Sequence, residues 1–168
     1  MIVKTRASDE AGTAKRRELA FQSFDEVLAD CKRLADVGYH HAGNWNLGQI
    51  CQHLAAYMNQ SMDGFVDPPP FWMPYAKPVV RALYLPKILK GAHFKIKAKA
   101  PESTLPSTNA DDEVRMHELE QAIARITAED AQFVDSPAVG NLSAEEWRKV
   151  HLWHCQHHLS FLVPAAKR

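Results

Sequence analysis

The amino-acid sequence predicts an all-α protein built around four principal helices. Three capping signals, each a Ser or Asn followed three positions later by Glu or Gln, precede stretches with apolar residues at helical spacing. The alternation of apolar and polar residues that is typical of strands is nearly absent, and residues 94–97 are the only short candidate. A chain of 168 residues, 46% of them hydrophobic, is expected to form one domain with a substantial core. These observations favour a four-helix bundle.

The first two helices are predicted at residues 23–37 and from Asn46 to about residue 64. Ser23 and Glu26 form the first capping signal, and Gly38 is expected to end that helix. Asn46 and Gln49 form the second signal, and the prolines at 68–70 must end the helix that follows. Residues 1–15 are expected to be a flexible polar arm, which leaves 16–168 as the single domain.

The middle of the chain, residues 71–110, is predicted to be irregular. One short helix is expected at 79–90, bent or broken near Pro86, followed by a loop at 101–109. Phe71, Trp72 and Tyr75 stand beside the proline run and are expected to pack against the bundle. An apolar lid over a functional site is the alternative interpretation of these three side chains.

Two more helices are predicted after this segment. The first runs over about 111–133, because its apolar residues repeat at helical spacing; they are Met116, Leu119, Ile123, Ile126 and Phe133. Ser143 and Glu146 form the third capping signal, and the final helix is expected to continue to about residue 162.

The charge of the chain limits its partners. The formal net charge is zero, which argues against general binding of nucleic acid. The residues between Lys77 and Lys99 nevertheless include seven basic and no acidic side chains. This stretch is expected to be a solvated basic loop; the alternative is that it attracts an anionic small molecule, with Lys90 as a candidate contact.

The cellular compartment and the state of the cysteines are predicted from the lack of a membrane span, a signal peptide and a disulfide pattern in the sequence. No stretch has the length of a membrane span and no signal peptide is recognised, so a cytoplasmic protein without a membrane partner is expected. Cys31, Cys51 and Cys155 are too few and too scattered for a disulfide framework and are expected to be buried reduced thiols.

Imidazoles interrupt the apolar stripe of the last helix. Trp147, His151, His154, His158 and Phe161 are spaced 4, 3, 4, 3, which places them on one face. An imidazole buried without a partner costs roughly 1–3 kcal/mol. His154 and His158 project from successive turns and could bind one metal ion. Two alternatives remain open: His151 or His157 replaces either ligand, or the histidines are satisfied by hydrogen bonds alone.

A third ligand has to come from a facing helix, and His53 is the best candidate. Ile50, His53 and Tyr57 lie on one face of the second predicted helix, beside its apolar seam. The other histidines are expected to face solvent; they are His40, His41, His93 and His117. Three imidazole ligands would leave at least one coordination position open, as in catalytic metal sites.

The segments that carry these histidines resemble one family. Residues 44–54, together with Glu146-Trp147 and residues 154–159, resemble the DinB/YfiT-like superfamily. This resemblance covers roughly residues 15–163 and implies an up-down-down-up four-helix bundle with a central metal ion, typically zinc or nickel. It implies His53, His154 and His158 as the ligands. Characterised members include thiol-dependent transferases and a mycothiol-dependent isomerase.

Three functional hypotheses follow. The first is a metal-dependent enzyme that performs thiol transfer or hydrolysis on a small anionic or thiol-bearing molecule. Its candidate substrate contacts are Tyr57, His151, His157 and Lys90. The second is a non-catalytic bundle that binds a metal or ligand, or that forms a homodimer through an apolar helix face. The third has no metal and only hydrogen-bonded core histidines.

Overall fold

The computed structural model describes residues 15–94 and 100–166, and over these residues the protein is mostly helical. The described part contains five α-helices, one 3₁₀ turn and one two-stranded sheet. In chain order the elements are α1 (Phe24–Val37), β1 (Tyr39–His41), α2 (Leu47–Asp63), α3 (Met73–Leu89), the 3₁₀ turn (Glu102–Thr104), α4 (Asp112–Thr127), α5 (Ala144–Leu159) and β2 (Leu162–Pro164). None of the described helices is both long and apolar enough to cross a membrane.

The predicted helix starts are confirmed at α1, α2 and α5. The Asn46 side chain accepts a hydrogen bond from the Gln49 amide at 2.7 Å, and the Gln49 side chain accepts one from the Asn46 amide at 3.0 Å. Ser143 and Glu146 form the same reciprocal pair at the start of α5. At the start of α2 and at the start of α5, two backbone amides that lack a partner within the helix are thus satisfied. The predicted stop at Gly38 is also correct, because this residue ends α1 with φ of 77°.

Helix α3 differs from its prediction. It begins at Met73, six residues before the predicted start at 79, and it continues through Pro86 to Leu89. Pro74 lies in its first turn, where a backbone N–H has no partner within the helix. Pro78 and Pro86 lie on the exposed side, so the carbonyl groups left without an amide partner can meet water. A helix can therefore form across Pro78 and Pro86, although prolines inside a helix normally interrupt it, because both are exposed to solvent.

Helix α4 also differs, because it ends at Thr127 rather than near 133. The Arg148 guanidinium of α5 donates hydrogen bonds to the carbonyl groups of Ile126 and Ala128, both at 2.9 Å, and so satisfies the end of the helix. Phe133 lies beyond this end and stacks on Trp147 with ring centroids 6.0 Å apart. Its apolar side chain packs against both the main core, which holds the seam of α4, and a second cluster around Trp147.

The two-stranded sheet was not predicted from the sequence. Strands β1 and β2 pair antiparallel, with Tyr39 opposite Pro164 and His41 opposite Leu162. His40 is exposed, as expected, but His41 is half-buried and both lie on a strand rather than in a loop. Three residues are too few for alternation to be recognised. The predicted strand at 94–97 and the predicted arm at 1–15 fall largely outside the described residues.

Contacts between the helices give their relative directions. The start of α2 lies beside the start of α4, where the Gly48 amide bonds to Asp112, and the far ends meet where Arg125 pairs with Asp63. These two helices therefore run in the same direction. Helix α5 runs opposite to α2, because His154 lies beside His53 while His151, one turn earlier, lies beside Ser61.

Apolar side chains from four helices form the main core. Its fully buried members include Val27 and Leu34 from α1, Leu54 from α2, Ile126 from α4 and Leu159 from α5. The three cysteines are buried and free, as predicted. A second cluster surrounds Trp147 and receives Leu85, the single buried side chain of α3.

Helix α2 approaches the start of α4 so closely that position 48 has no room for a side chain. A Cβ atom at Gly48 would stand 2.8 Å from the Ala110 carbonyl oxygen and 3.0 Å from the Asp112 carboxylate. We expect Gly48→Ala to destabilise the protein by about 1–3 kcal/mol, the typical cost of overpacking. The measurement is the free energy of unfolding in urea.

The direction of the change in the free energy of unfolding tests the close approach of α2 and α4. Alanine is favoured over glycine inside a helix by about 1 kcal/mol, so a position with free space would gain stability from the substitution. A Gly48→Ala variant more stable than the wild type would contradict the close approach of α2 and α4.

Candidate metal centre

Helices α2 and α5 bring three histidines together. His53 faces α5 from the second turn of α2, and His154 and His158 project from successive turns of α5. One nitrogen from each ring lies within 4.8 Å of the other two. The Nε2 atoms of His53 and His154 are 3.2 Å apart. Two ligand nitrogens on a tetrahedral zinc ion are about 3.3 Å apart, given Zn–N distances of about 2.0–2.1 Å.

A backbone carbonyl fixes the orientation of His53. Its Nδ1–H donates a hydrogen bond of 2.8 Å to the carbonyl oxygen of Thr104, which lies in the 3₁₀ turn. Since a carbonyl can only accept, Nδ1 carries the proton and the Nε2 lone pair faces His154. This arrangement is typical of metal-bound histidines, whose second nitrogen is oriented by a carbonyl or a carboxylate.

The three imidazoles are held in their neutral form. Burial lowers the pKa of His53, although the hydrogen bond to Thr104 opposes that shift. Burial and the neighbouring imidazoles hold the pKa of His154 and of His158 well below the usual value of 6.5. Neutral imidazole is the form that binds metal ions, so at neutral pH a metal would compete with few protons.

Two aromatic side chains enclose the histidines. Trp45 stacks on His158, with centroids 5.6 Å apart, and lies tilted against His53 at 5.0 Å. Tyr57 meets His154 edge to face at 4.8 Å. Burial raises the pKa of Tyr57 to about 12, so its hydroxyl stays protonated and can donate a hydrogen bond. His53 is buried, whereas His154 and His158 remain partly exposed, which gives the cluster an open side.

His151 has a different environment from the three clustered histidines. It is fully buried and stacks on Trp147. The Ser61 hydroxyl donates to the Met58 carbonyl at 2.6 Å, so the 2.9 Å bond between Ser61 and His151 is donated by Nε2–H of the histidine. Burial lowers the pKa of His151 to about 3. It is a core residue behind Tyr57 rather than a member of the cluster.

His157 also lies outside the cluster, although it is adjacent to His158. The Arg16 guanidinium donates to its Nδ1 at 3.0 Å and to its backbone carbonyl at 2.8 Å. The ring stacks on Trp153, and burial together with the charge of Arg16 lowers the pKa of His157 to about 4. Exposed Lys90 ends α3, and no hydrogen bond or ion pair within the described residues joins it to the histidines.

The basic segment has partly structural roles. Arg81 donates hydrogen bonds to the carbonyl groups of Val139 and Asn141, at 2.8 and 2.7 Å, and so ties α3 to the loop before α5. Lys87 and Lys90 are exposed. The remaining lysines of this segment at positions 95, 97 and 99 lie outside the described residues.

Sequence reasoning assigned no role to three residues that shape the site. Trp45 directly precedes Asn46, which caps the helix that carries His53. Its place next to this helix could have indicated that it lies near the histidines. Thr104 acts through its backbone carbonyl, which no side-chain pattern reveals. Arg16 contacts α5 from a position 141 residues earlier in the chain, a distance that local periodicity does not report.

The fold and site together define a helical protein with a three-histidine cluster between two of its helices. Residues 13–165 match the profile of a family described as proteins of unknown function, DUF1569. The match covers nearly the whole chain, and the protein therefore belongs to this family. No curated protein and no solved structure matches the chain.

We expect the metal-free protein to lose stability as the pH falls below about 6.5. In the unfolded chain the histidines take up protons near 6.5, whereas folded His151 and His157 do so only near pH 3 and 4. Their stabilising contribution is complete above 6.5 and is lost toward the folded pKa. Each such histidine contributes a slope of roughly 1.4 kcal/mol per pH unit.

The variant His151→Phe isolates one of these contributions. Urea unfolding at several pH values between 7 and 4.5, in the presence of a chelator, should give a slope shallower by up to about 1.4 kcal/mol per pH unit. His117→Phe is the matched control, because His117 is exposed on α4. Equal slopes for the wild type and His151→Phe would contradict the burial of a neutral imidazole at this position.

Proposed function

We propose that this protein is a DinB-like metalloprotein in which His53, His154 and His158 bind one divalent metal ion, zinc or nickel. The observation that carries the proposal is the pairing of two contacts at His53. Its Nδ1–H is held by Thr104, and its Nε2 lone pair stands 3.2 Å from Nε2 of His154. In a typical histidine metal site, one ring nitrogen donates an orienting hydrogen bond and the other nitrogen faces the metal together with the remaining ligands.

The arrangement of the helices supports the DinB-like assignment. Helices α2 and α4 run in the same direction, and α5 runs opposite to them. The end of α1 leads into Tyr39, whose hydroxyl lies at the starts of α2 and α4, so α1 also runs opposite to both. Those four directions agree with an up-down-down-up bundle, with α3 as an addition after the second helix.

We further propose a metal-dependent reaction on a small molecule, either thiol transfer or hydrolysis. A bound divalent metal would supply Lewis acidity, which lowers the pKa of a water or thiol at an open position. Tyr57 would donate a hydrogen bond to the substrate beside His154. Trp45 would exclude water from the side of His53 and His158.

The charge near the cluster supports an anionic or thiol-bearing substrate. Arg16 places a guanidinium against His157, whose ring centroid is 5.0 Å from that of His158. Its positive charge would attract a carboxylate, a phosphate or a thiolate to this end of α5.

Three buried free cysteines agree with a cytoplasmic protein.

We expect purified protein to contain roughly one zinc or nickel ion per chain, and His154→Ala to contain almost none. Removal of one of three imidazoles leaves a site that binds the metal far more weakly. Mass spectrometry of metal content measures this directly. His117→Ala, an exposed histidine on α4, should retain the metal. A folded wild type that stays empty after incubation with either metal would overturn the proposal and leave hydrogen-bonded core histidines.

The open coordination position separates an enzyme from a purely binding protein. We expect the visible spectrum of the Co²⁺-loaded protein to change on addition of a small thiol, because the thiolate enters the vacant position. Tyr57→Phe should keep its Co²⁺ content and bind the thiol more weakly. A spectrum that stays unchanged at saturating thiol would indicate a closed site and favour the non-catalytic function.

A further inference from the structure

Helix α3 and the residues just before it carry a set of exposed apolar side chains on one side. Tyr75, Val79 and Leu83 are spaced four apart and point away from the bundle, and Phe71 and Trp72 precede them. Phe71 is 89% exposed and Tyr75 is 86% exposed. The expected packing of the aromatic side chains against the bundle is therefore wrong for Phe71 and Tyr75. We call these five residues the outer face of α3.

The inner side of the same helix is already used. Leu85 is buried against the cluster around Trp147, and Val80, Ile88 and Leu89 pack on that cluster as well. Both sides of α3 are therefore apolar, and only one is covered. Exposed apolar patches of this kind on small proteins usually mark an interaction site.

A shallow groove extends the apolar surface. Its volume is about 640 Å³, and it runs along α3 beside the outer face, with Pro78, Ala82, Pro86 and Leu89 among its lining residues.

The charges on this part of the surface have one sign. Exposed Lys87 and Lys90 lie at the end of α3, and no Asp or Glu occurs between residues 68 and 94. In a contact between two copies, α3 itself would offer no acidic side chain with which these lysines could pair. Anionic lipid headgroups would supply that charge. Aromatic and aliphatic residues beside lysines are typical of helices that lie in a membrane surface.

We propose that α3 docks this protein on the surface of a membrane that contains anionic lipids. The outer face enters the boundary between headgroups and acyl chains, and Lys87 and Lys90 contact the headgroups. The helix lies on the membrane and does not cross it, which is compatible with the absence of a spanning segment among the described helices. The expectation of no membrane partner concerned spanning segments and is revised by this proposal.

The test is co-sedimentation of the full-length protein with lipid vesicles. Vesicles of phosphatidylcholine and phosphatidylglycerol should bind the protein, and vesicles of phosphatidylcholine alone should bind it more weakly. Phe71→Ser/Tyr75→Ser should lower the binding by about ten-fold or more, since two large side chains no longer enter the lipid. Lys87→Gln/Lys90→Gln should lower binding to the anionic vesicles by about five-fold per lysine and weaken its dependence on salt.

Leu105→Ser/Val114→Ser is the matched control, because both residues are exposed and apolar but lie outside the outer face. It should bind anionic vesicles as the wild type does. Circular dichroism shows whether each variant is folded. Equal binding by Phe71→Ser/Tyr75→Ser, or no binding by the wild type, would overturn the proposal. A dimer in solution that the same double variant dissociates would also overturn it, and would assign the face to a second copy of the chain.

Discussion

The position of the histidine cluster depends on the hydrogen bonds that the buried carboxylate of Asp112 accepts. It accepts a hydrogen bond from the Gly48 amide at 2.8 Å and another from the Tyr39 hydroxyl at 3.3 Å. The same hydroxyl accepts one from the Leu47 amide at 3.0 Å. One side chain therefore joins the start of α4, the start of α2 and strand β1. These contacts set the register of α2 and, with it, the height at which His53 faces α5.

The imidazoles near the cluster differ in their hydrogen-bond partners, and Nδ1 of buried His151 has none among the described residues. His53 uses a backbone carbonyl, His151 uses a serine hydroxyl, and His157 uses an arginine. Among the described residues, the His154 ring has only the Nε2 atom of His53 within hydrogen-bonding distance, and His158 has aromatic ring contacts on several sides. Within the described residues, neither His154 nor His158 has a ring hydrogen bond to a group outside the histidine cluster, so a metal ion would serve these two best. Such unequal satisfaction is uncommon in a purely structural core.

Local signals in the sequence predicted the helices that carry the histidines but not the start of α3 or the end of α4. The caps at Asn46 and Ser143 act within four residues, so they can be recognised without knowledge of the fold. The end of α4 depends on Arg148, which lies 22 residues beyond the carbonyl it satisfies. Helical spacing also predicted His53, His154 and His158 as neighbours. The hydrogen bond that His53 donates to the Thr104 carbonyl could not be predicted, since its acceptor is a backbone group in a segment without a regular pattern.

The order of the elements along the chain determines when the histidine cluster can form. His53 and His154 are 101 positions apart, and two of the three imidazoles belong to α5, the last described helix. Helices α2 and α4 can pair earlier, whereas the cluster is complete only after α5 has docked. Closing such a long loop is an entropic barrier that must be overcome before the contacts are gained. A metal ion held by both helices would therefore act chiefly on the lifetime of the folded state, because undocking of α5 would first have to break its bonds.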